Sequence, residues 1–270
     1  MTPKRDYITS IRFRHYKAFK DFSLSLRKFN VLVGPNNSGK STILGALRIL
    51  SEGLRRANAR KPELIDGPNG IGRGYPVSLA KLPVSTENVF YNYDDSEAAI
   101  VTFQVSNGNE LILYFPAKGV CLLLTHAKKA IRTPSDFKRE FKLKVSFVPV
   151  LGPVEHEEDY VQEETARLAL LSYSASRNFR NIWYHFPKGF DEFRETIRTS
   201  WPGMDIKKPE LISRDGKNYL YMFCPENRYD REIFWAGFGF QVWCQMLTFI
   251  LQGRDASLLI ILKNAVEECG

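Results

Sequence analysis

The sequence predicts an α/β fold in which a mixed sheet carries a phosphate-binding loop between a strand and a helix, with a helical lobe after it. Three observations lead there. Gly34-Pro35-Asn36-Asn37-Ser38-Gly39-Lys40-Ser41 satisfies G-x-x-x-x-G-K-[ST] at every fixed position, with an apolar run before it and an amphipathic stretch after it. Apolar residues recur with period two through much of the first half of the chain. Helical periodicity then dominates residues 157–198.

Taken in order, residues 7–14 alternate isoleucine and arginine and read as a strand, and residues 22–26 alternate again. Residues 29–33 are expected as a short apolar strand running straight into Gly34. A helix starts at Lys40 and places Ile43, Leu44, Leu47, Leu50 and Leu54 on one face. Arg48, Arg55 and Arg56 lie toward its C-terminal end, where the helix dipole favours cations. Residues 57–83, rich in glycine and proline, are expected as a mobile insert within the domain. Strand signals return at 98–105, 110–115 and 119–124, with Asn107-Gly108 marking a hairpin between the first two. Residues 143–150 read as a further strand. After the helical stretch, residues 211–213 and 219–223 flank Asp215-Gly216 as a second hairpin. A helix over 239–251 and an apolar strand over 257–262 follow.

Composition bounds the class. With 44% hydrophobic and 25% charged residues the chain reads as globular, and 270 residues can bury a sizeable core. The net charge of +8 favours encounter with a polyanion. The cysteines Cys121, Cys224, Cys244 and Cys269 form no C-x-x-C pair, and none lies at ligand spacing to a histidine. Neither structural zinc nor a disulfide framework is expected. Residues 1–10 are too polar for a secretory signal, and the apolar run 242–251 is too short to span a bilayer. The expected setting is the cytoplasm, with no membrane.

The phosphate loop carries the chemistry. Gly34 and Gly39 let the backbone curl so that the N–H groups of Asn36, Asn37, Ser38, Gly39, Lys40, Ser41 and Thr42 can face phosphates at a helix N-terminus. Lys40 reaches the β and γ oxygens, and the Ser41 hydroxyl serves Mg2+. The expected ligand is ATP with Mg2+.

Further along, Trp235-Ala236-Gly237-Phe238-Gly239-Phe240-Gln241 precedes a helix and offers bare N–H groups to an anion. With the opening run from Ile11 to Phe22 leading into Asn30-Val31-Leu32-Val33 and the phosphate loop, this chain resembles ABC-type ATPases of the RecF, SMC and OLD group. These are AAA-family ATPases of DNA-repair and phage-defence systems. Val148-Pro149-Val150-Leu151-Gly152-Pro153-Val154-Glu155 stands where such proteins carry the Q-loop, without its glutamine. The resemblance implies a head-to-tail homodimer in which ATP on one phosphate loop meets the signature turn of the other subunit, here Gly237, Gly239 and Gln241. Phe238 stands where the family often has a serine. The resemblance also implies DNA and a nuclease as partners. It divides the chain into a loop-bearing lobe over 1–156 with the insert at 57–83, a helical lobe with the signature over 157–252, and a core strand with tail over 253–270.

One departure bears on catalysis. The family places an Asp-Glu pair after the strand that follows the signature helix; here that strand runs into Leu262-Lys263-Asn264. The expectation is an ATPase domain truncated before those carboxylates, which binds ATP and hydrolyses it poorly. The alternatives are a pseudo-ATPase interaction module and a P-loop small-molecule kinase. Asp94-Asp95 and Glu155 are the nearest substitutes for the pair. Lys128 to Lys144, with Phe137 and Phe141, form a basic stretch, and Arg177, Arg180, Trp183 and Tyr184 form a second. Each could contact nucleic acid, although a solvated face and core aromatics are the plainer readings. The acidic run 155–159 reads as a solvated helix start.

Overall fold

A computed structural model describes residues 5–68, 70–80, 82, 89–148, 151–170, 173–226 and 229–261. The chain divides into two compact units, one over 1–145 with 256–258, the other over 146–255 with 259–270.

The first unit is a seven-stranded antiparallel sheet with helices. Its strands are β1 (Ile8–Tyr16), β2 (Phe19–Ser25), β3 (Glu63–Gly67), β4 (Gly70–Pro76), β5 (Ala99–Val105), β6 (Glu110–Phe115) and β7 (Leu122–His126), in the order β2-β1-β5-β6-β7-β4-β3. Period two decides its faces. Ile11, Phe13, Val101, Phe103, Leu111, Leu113 and Leu123 point inward and are buried. Helix α1 (Lys40–Ala59) buries Ile43, Leu47, Leu50 and Leu54, as its periodicity requires. It comes so close to β7 that a Cβ at Gly53 would stand 3.1 Å from the Leu123 side chain. Asn107-Gly108 makes the β5–β6 turn, with Gly108 at φ 85°. Helix α2 (Pro134–Glu140) starts at Thr133, whose hydroxyl accepts from the Asp136 N–H while the Asp136 carboxylate accepts in return. The Thr133 hydroxyl and Arg139 hold that carboxyl down at about 2.

Two expectations fail in this unit. Residues 57–83 are expected as a mobile insert; among the described ones, 57–59 finish α1, and β3 and β4 form a hairpin in which β4 pairs with β7. The glycines permit the turn between Gly67 and Gly70, and ladder pairing to an exposed sheet edge stabilises the rest. Residues 29–33 were expected as a strand, but they are irregular and exposed, Phe29 at 82% and Val33 at 85%. The Asn30 amide bonds back to Arg27 N–H and C=O at 2.9 and 2.8 Å, turning the chain after β2. No strand among the described residues lies beside this segment to complete a ladder.

Strand β8 (Val145–Val148) pairs with β14 (Leu258–Ile261). The second unit holds β9 (Glu158–Asp159), α3 (Glu163–Ala169), α4 (Phe179–His185), α5 (Phe190–Ser200), β10 (Glu210–Arg214), β11 (Lys217–Tyr221), β12 (Phe223–Glu226), β13 (Tyr229–Glu232) and α6 (Phe238–Gly253). It is therefore not purely helical: β10-β11-β9 form a sheet and β12-β13 a hairpin. The acidic run 155–159 does not start a helix: its last two residues form β9, with Glu158 opposite Leu220 on β11 and only 2% exposed. Phe179, Trp183, Phe193, Ile197, Cys224 and Phe240 are among the residues of the core.

Burial of Glu158 needs a partner, and Arg180 of α4 supplies it. Its Nη1 donates to Glu158 at 3.2 Å and its Nε to Glu232 at 2.8 Å. The N–H groups of Arg180 and Asn181 also donate to Glu158, at 2.9 and 2.7 Å. Burial pushes the Glu158 carboxyl up, while Arg180 and these donors pull it back. Arg180→Ala should leave two carboxylates without their cation and cost about 3–5 kcal/mol. Chemical denaturation of purified wild type and variant measures this; a loss below about 1 kcal/mol, the worth of an exposed pair, would contradict it.

Candidate nucleotide-binding site

The phosphate loop leaves the irregular segment at Gly34 and closes onto α1 at Gly39. Gly39 is the N-cap of α1 in the left-handed region, φ 87°, ψ 4°, and is buried. Asn37, at φ 64°, is a second left-handed residue in the same curl. At Gly34 a Cβ would lie 2.7 Å from the Ser38 hydroxyl, which would have to turn aside. The Ser38 N–H donates to Pro35 C=O at 3.3 Å.

Lys40 folds back over this curl. Its Nζ donates to Gly34 C=O at 2.5 Å, to Pro35 C=O at 2.6 Å and to Ser38 Oγ at 3.3 Å. The ammonium thus stands over the loop, at the place where a phosphate chain would be cradled. The first turn of α1 carries no acidic residue and no side-chain cap, so its N–H groups keep their capacity for an anion. Ser41 is exposed in that turn, where its hydroxyl can serve a metal. Thr42 is buried at 7%, which leaves its backbone N–H as what it offers outward. Asn36, Asn37 and Ser38 are exposed along the curl. Among the described residues there is no group of three or more His, Cys, Asp or Glu able to hold a metal ion. Ser41 would hold Mg2+ together with phosphate oxygens and water, which suits its reluctance to dehydrate. These residues fit Mg·ATP.

The glycine turn of the second unit opens α6. Gly237 is the N-cap, without a side-chain cap, and a Cβ added there would meet nothing within 4 Å. At Gly239 a Cβ would lie 3.7 Å from the Trp201 ring. Gln241 turns inward: its amide donates to Phe234 and Ala236 C=O at 2.8 and 2.9 Å, and its Oε1 accepts from Val154 N–H at 3.1 Å. The Gln241 side chain therefore fixes the turn rather than presenting itself to a ligand. Glu232 supports the same turn from the other side by accepting from Phe234 N–H at 2.8 Å. Trp235 and Phe238 stand out of it, 65% and 60% exposed.

The sequence profile of the AAA ATPase domain matches residues 7–200, which spans both the phosphate loop and the antiparallel sheet. The chain belongs to that family. The AAA ATPase domain described here is similar in fold to the recombination mediator protein RecF with ATPrS, at TM-score 0.51 and 11% identity, covering 97% of this chain and 86% of that one. RecF with ATP gives TM-score 0.51 at 10% identity, over 98% and 87%. An Smc head domain from Pyrococcus furiosus, bound to the C-terminal domain of ScpA, gives TM-score 0.46 at 11% identity, over 96% and 90%. No curated protein matches the sequence. The ABC-type fold expected from the phosphate loop and the glycine turn is thus shown.

The remaining candidate residues of this AAA ATPase domain are occupied elsewhere. Asp95 pairs with Lys118 at 2.9 Å, Asp94 accepts from Ser96 N–H at 3.0 Å, and Glu155 pairs with Arg177 at 3.2 Å. Leu262, Lys263 and Asn264, and Pro149 and Val150 of the Q-loop-like segment, lie outside the described residues. Of the aromatic residues proposed for nucleic acid, Phe137, Phe141 and Trp183 are core residues at 0–1% exposure, and Arg180 is the buried cation described above. Lys128, Lys129, Lys138, Lys142 and Lys144 remain exposed. Among the described residues no helix is long and apolar enough to cross a membrane.

Sequence reasoning missed Phe19, whose ring touches the Gly39 site, and the Glu158–Arg180–Glu232 network beneath the glycine turn. Both depend on residues far apart in sequence, and only the A-F-K-D-F run of the opening motif pointed at Phe19. Gly39→Ala should cost at least about 1–2 kcal/mol of local strain through the left-handed cap. We expect folded protein that no longer binds Mg·ATP in a fluorescence or calorimetric titration; wild-type affinity would show that the cap geometry is not required.

Proposed function

We propose that this AAA ATPase domain binds Mg·ATP on residues 34–42 and works in the cytoplasm as a head-to-tail homodimer that handles DNA, in a repair or antiphage-defence setting. The observation that carries the reading is Lys40. Its ammonium, held at 2.5 and 2.6 Å by the loop carbonyls of Gly34 and Pro35, stands beside an uncapped helix N-terminus with an exposed Ser41. That donor set suits a polyphosphate and its metal.

Support for pairing comes from the glycine turn. It joins uncapped N–H groups at Gly237 to the exposed rings of Trp235 and Phe238, an apolar pair suited to a protein surface. Support for DNA comes from the +8 charge, from the exposed lysines between 128 and 144, and from the RecF structures, which are described as a recombination mediator. Support for slow turnover comes from the sequence after β14, where Leu262 and Lys263 follow the apolar strand in place of an Asp-Glu pair. A charged lysine can hold a γ-phosphate but cannot accept a proton from water.

Lys40→Ala should weaken Mg·ATP binding by roughly a hundredfold, the worth of about 3 kcal/mol for a lost charged contact. Nucleotide titration of both proteins reads this, and equal affinities would overturn the assignment. Phosphate release by the wild type should stay at the Lys40→Ala background; turnover clearly above it would mean that another group places the attacking water. Binding to duplex or single-stranded DNA should weaken as salt rises, by counterion release. Undetectable binding at low salt would point to a protein partner instead.

A further inference from the structure

We infer that Phe19 is a positioning residue for the phosphate loop: its ring, carried on the edge strand β2, presses on Gly39 and sets where the first turn of α1 and Lys40 stand. The inference rests on the nucleotide-binding reading above and adds a residue to it.

The contact is direct. A Cβ built on Gly39 would overlap the Phe19 ring, with Cε1 at 2.7 Å and Cε2 at 3.2 Å and Cζ the nearest atom of all. The tip of the ring therefore occupies the space that any side chain at position 39 would need. The α1 N-cap makes no side-chain hydrogen bond, and its carbonyl accepts the helical bond from Ile43 N–H at 3.1 Å. The left-handed cap of α1 therefore stands directly against the Phe19 ring, whereas the left-handed cap Gly189 of α5 has nothing within 4 Å of its Cβ position.

The ring is itself held. Phe19 stacks on Phe22 with centroids 4.5 Å apart at 21°, and meets Phe13 at 5.1 Å. Phe13 packs with Tyr16 at 6.0 Å, and Tyr16 with Phe115 at 5.5 Å. Phe13, Tyr16 and Phe115 are buried, at 0–1% exposure. An aromatic column thus runs from the sheet interior to the last glycine of the phosphate loop, and such pairs prefer fixed geometries. A residue that served only the core would not need this placement, because β2 is an edge strand with mostly exposed side chains. A platform for the base is also disfavoured. One face of the Phe19 ring is taken by Phe22, Phe13 tilts against it, and the tip rather than a free face meets the loop. Displacing a loop by even about 0.5 Å is enough to degrade a preorganised site.

Two variants separate these roles. Phe19→Ala removes the brace. Phe19→Tyr keeps the ring and its stacking but adds an oxygen at Cζ, the atom that faces Gly39. Wild type, both variants and Lys40→Ala would be titrated with Mg·ATP and with magnesium tripolyphosphate, which has no base, and their thermal unfolding recorded. We expect Phe19→Tyr to unfold near the wild-type temperature yet bind both ligands about tenfold more weakly, with Phe19→Ala weakened at least as much. Wild-type affinity of Phe19→Tyr for both ligands overturns the inference. So does a loss of Mg·ATP affinity with tripolyphosphate binding intact, which would make Phe19 a base platform. Should Phe19→Ala fail to fold, Phe19→Tyr alone decides. If Lys40→Ala binds both ligands like wild type, the nucleotide-binding reading fails, and the inference with it.

Discussion

The packing of α1 against the inner face of the seven-stranded sheet is the constraint on which the phosphate loop depends. Ile43, Leu47, Leu50 and Leu54 fix the rotation of the helix about its axis, and Gly53 lets it approach Leu123. Once that rotation is fixed, Thr42 points inward and Ser41 outward. The loop must then reach the helix through a residue that can take φ 87° under an aromatic ring, and only glycine does so without strain. The apolar face thus sets the direction in which the uncapped N–H groups point, and with it the place where an anion can be held.

The second unit solves a comparable problem with polar groups. Its glycine turn is tied by side chains: Gln241 bonds Phe234, Ala236 and Val154, and Glu232 bonds Phe234 N–H while pairing with buried Arg180. A buried network of this kind contributes little net stability against an apolar replacement, yet losing one member exposes the others to an unpaired burial cost. It fixes one arrangement of the turn. Gln245 adds to it by donating to Gly152 C=O at 2.6 Å, so α6 holds the segment before β9 at two points.

Sequence patterning located most of the elements. The alternation of β1, β5 and β6, the Asn107-Gly108 and Asp215-Gly216 turns, and the start of α1 at Lys40 all follow from local preferences that tertiary contacts reinforce. The failures share a cause. Glycine and proline over 57–83 suggested mobility, but β4 found a ladder partner in β7, some fifty residues later in the chain. Phe29 to Val33 carried strand-like residues, yet an apolar run becomes a strand only beside a partner, and Asn30 turns the backbone away. The acidic run at 155–159 looked solvated because nothing local shows that Arg180, more than twenty residues on, will meet Glu158.

By itself, then, the sequence determined the phosphate loop, its helix and the residue types that can cradle a triphosphate, because these are set by neighbours within a few positions. It also determined which residues follow β14. Tertiary structure alone decided which way each of those side chains faces. It turned Thr42 and Gln241 inward, sank Phe137, Phe141, Trp183 and Arg180 into the core, and set Phe19 on Gly39. The physical reason is that burial and steric exclusion are properties of pairs distant in the chain, whereas loop curvature and helix capping are properties of adjacent residues.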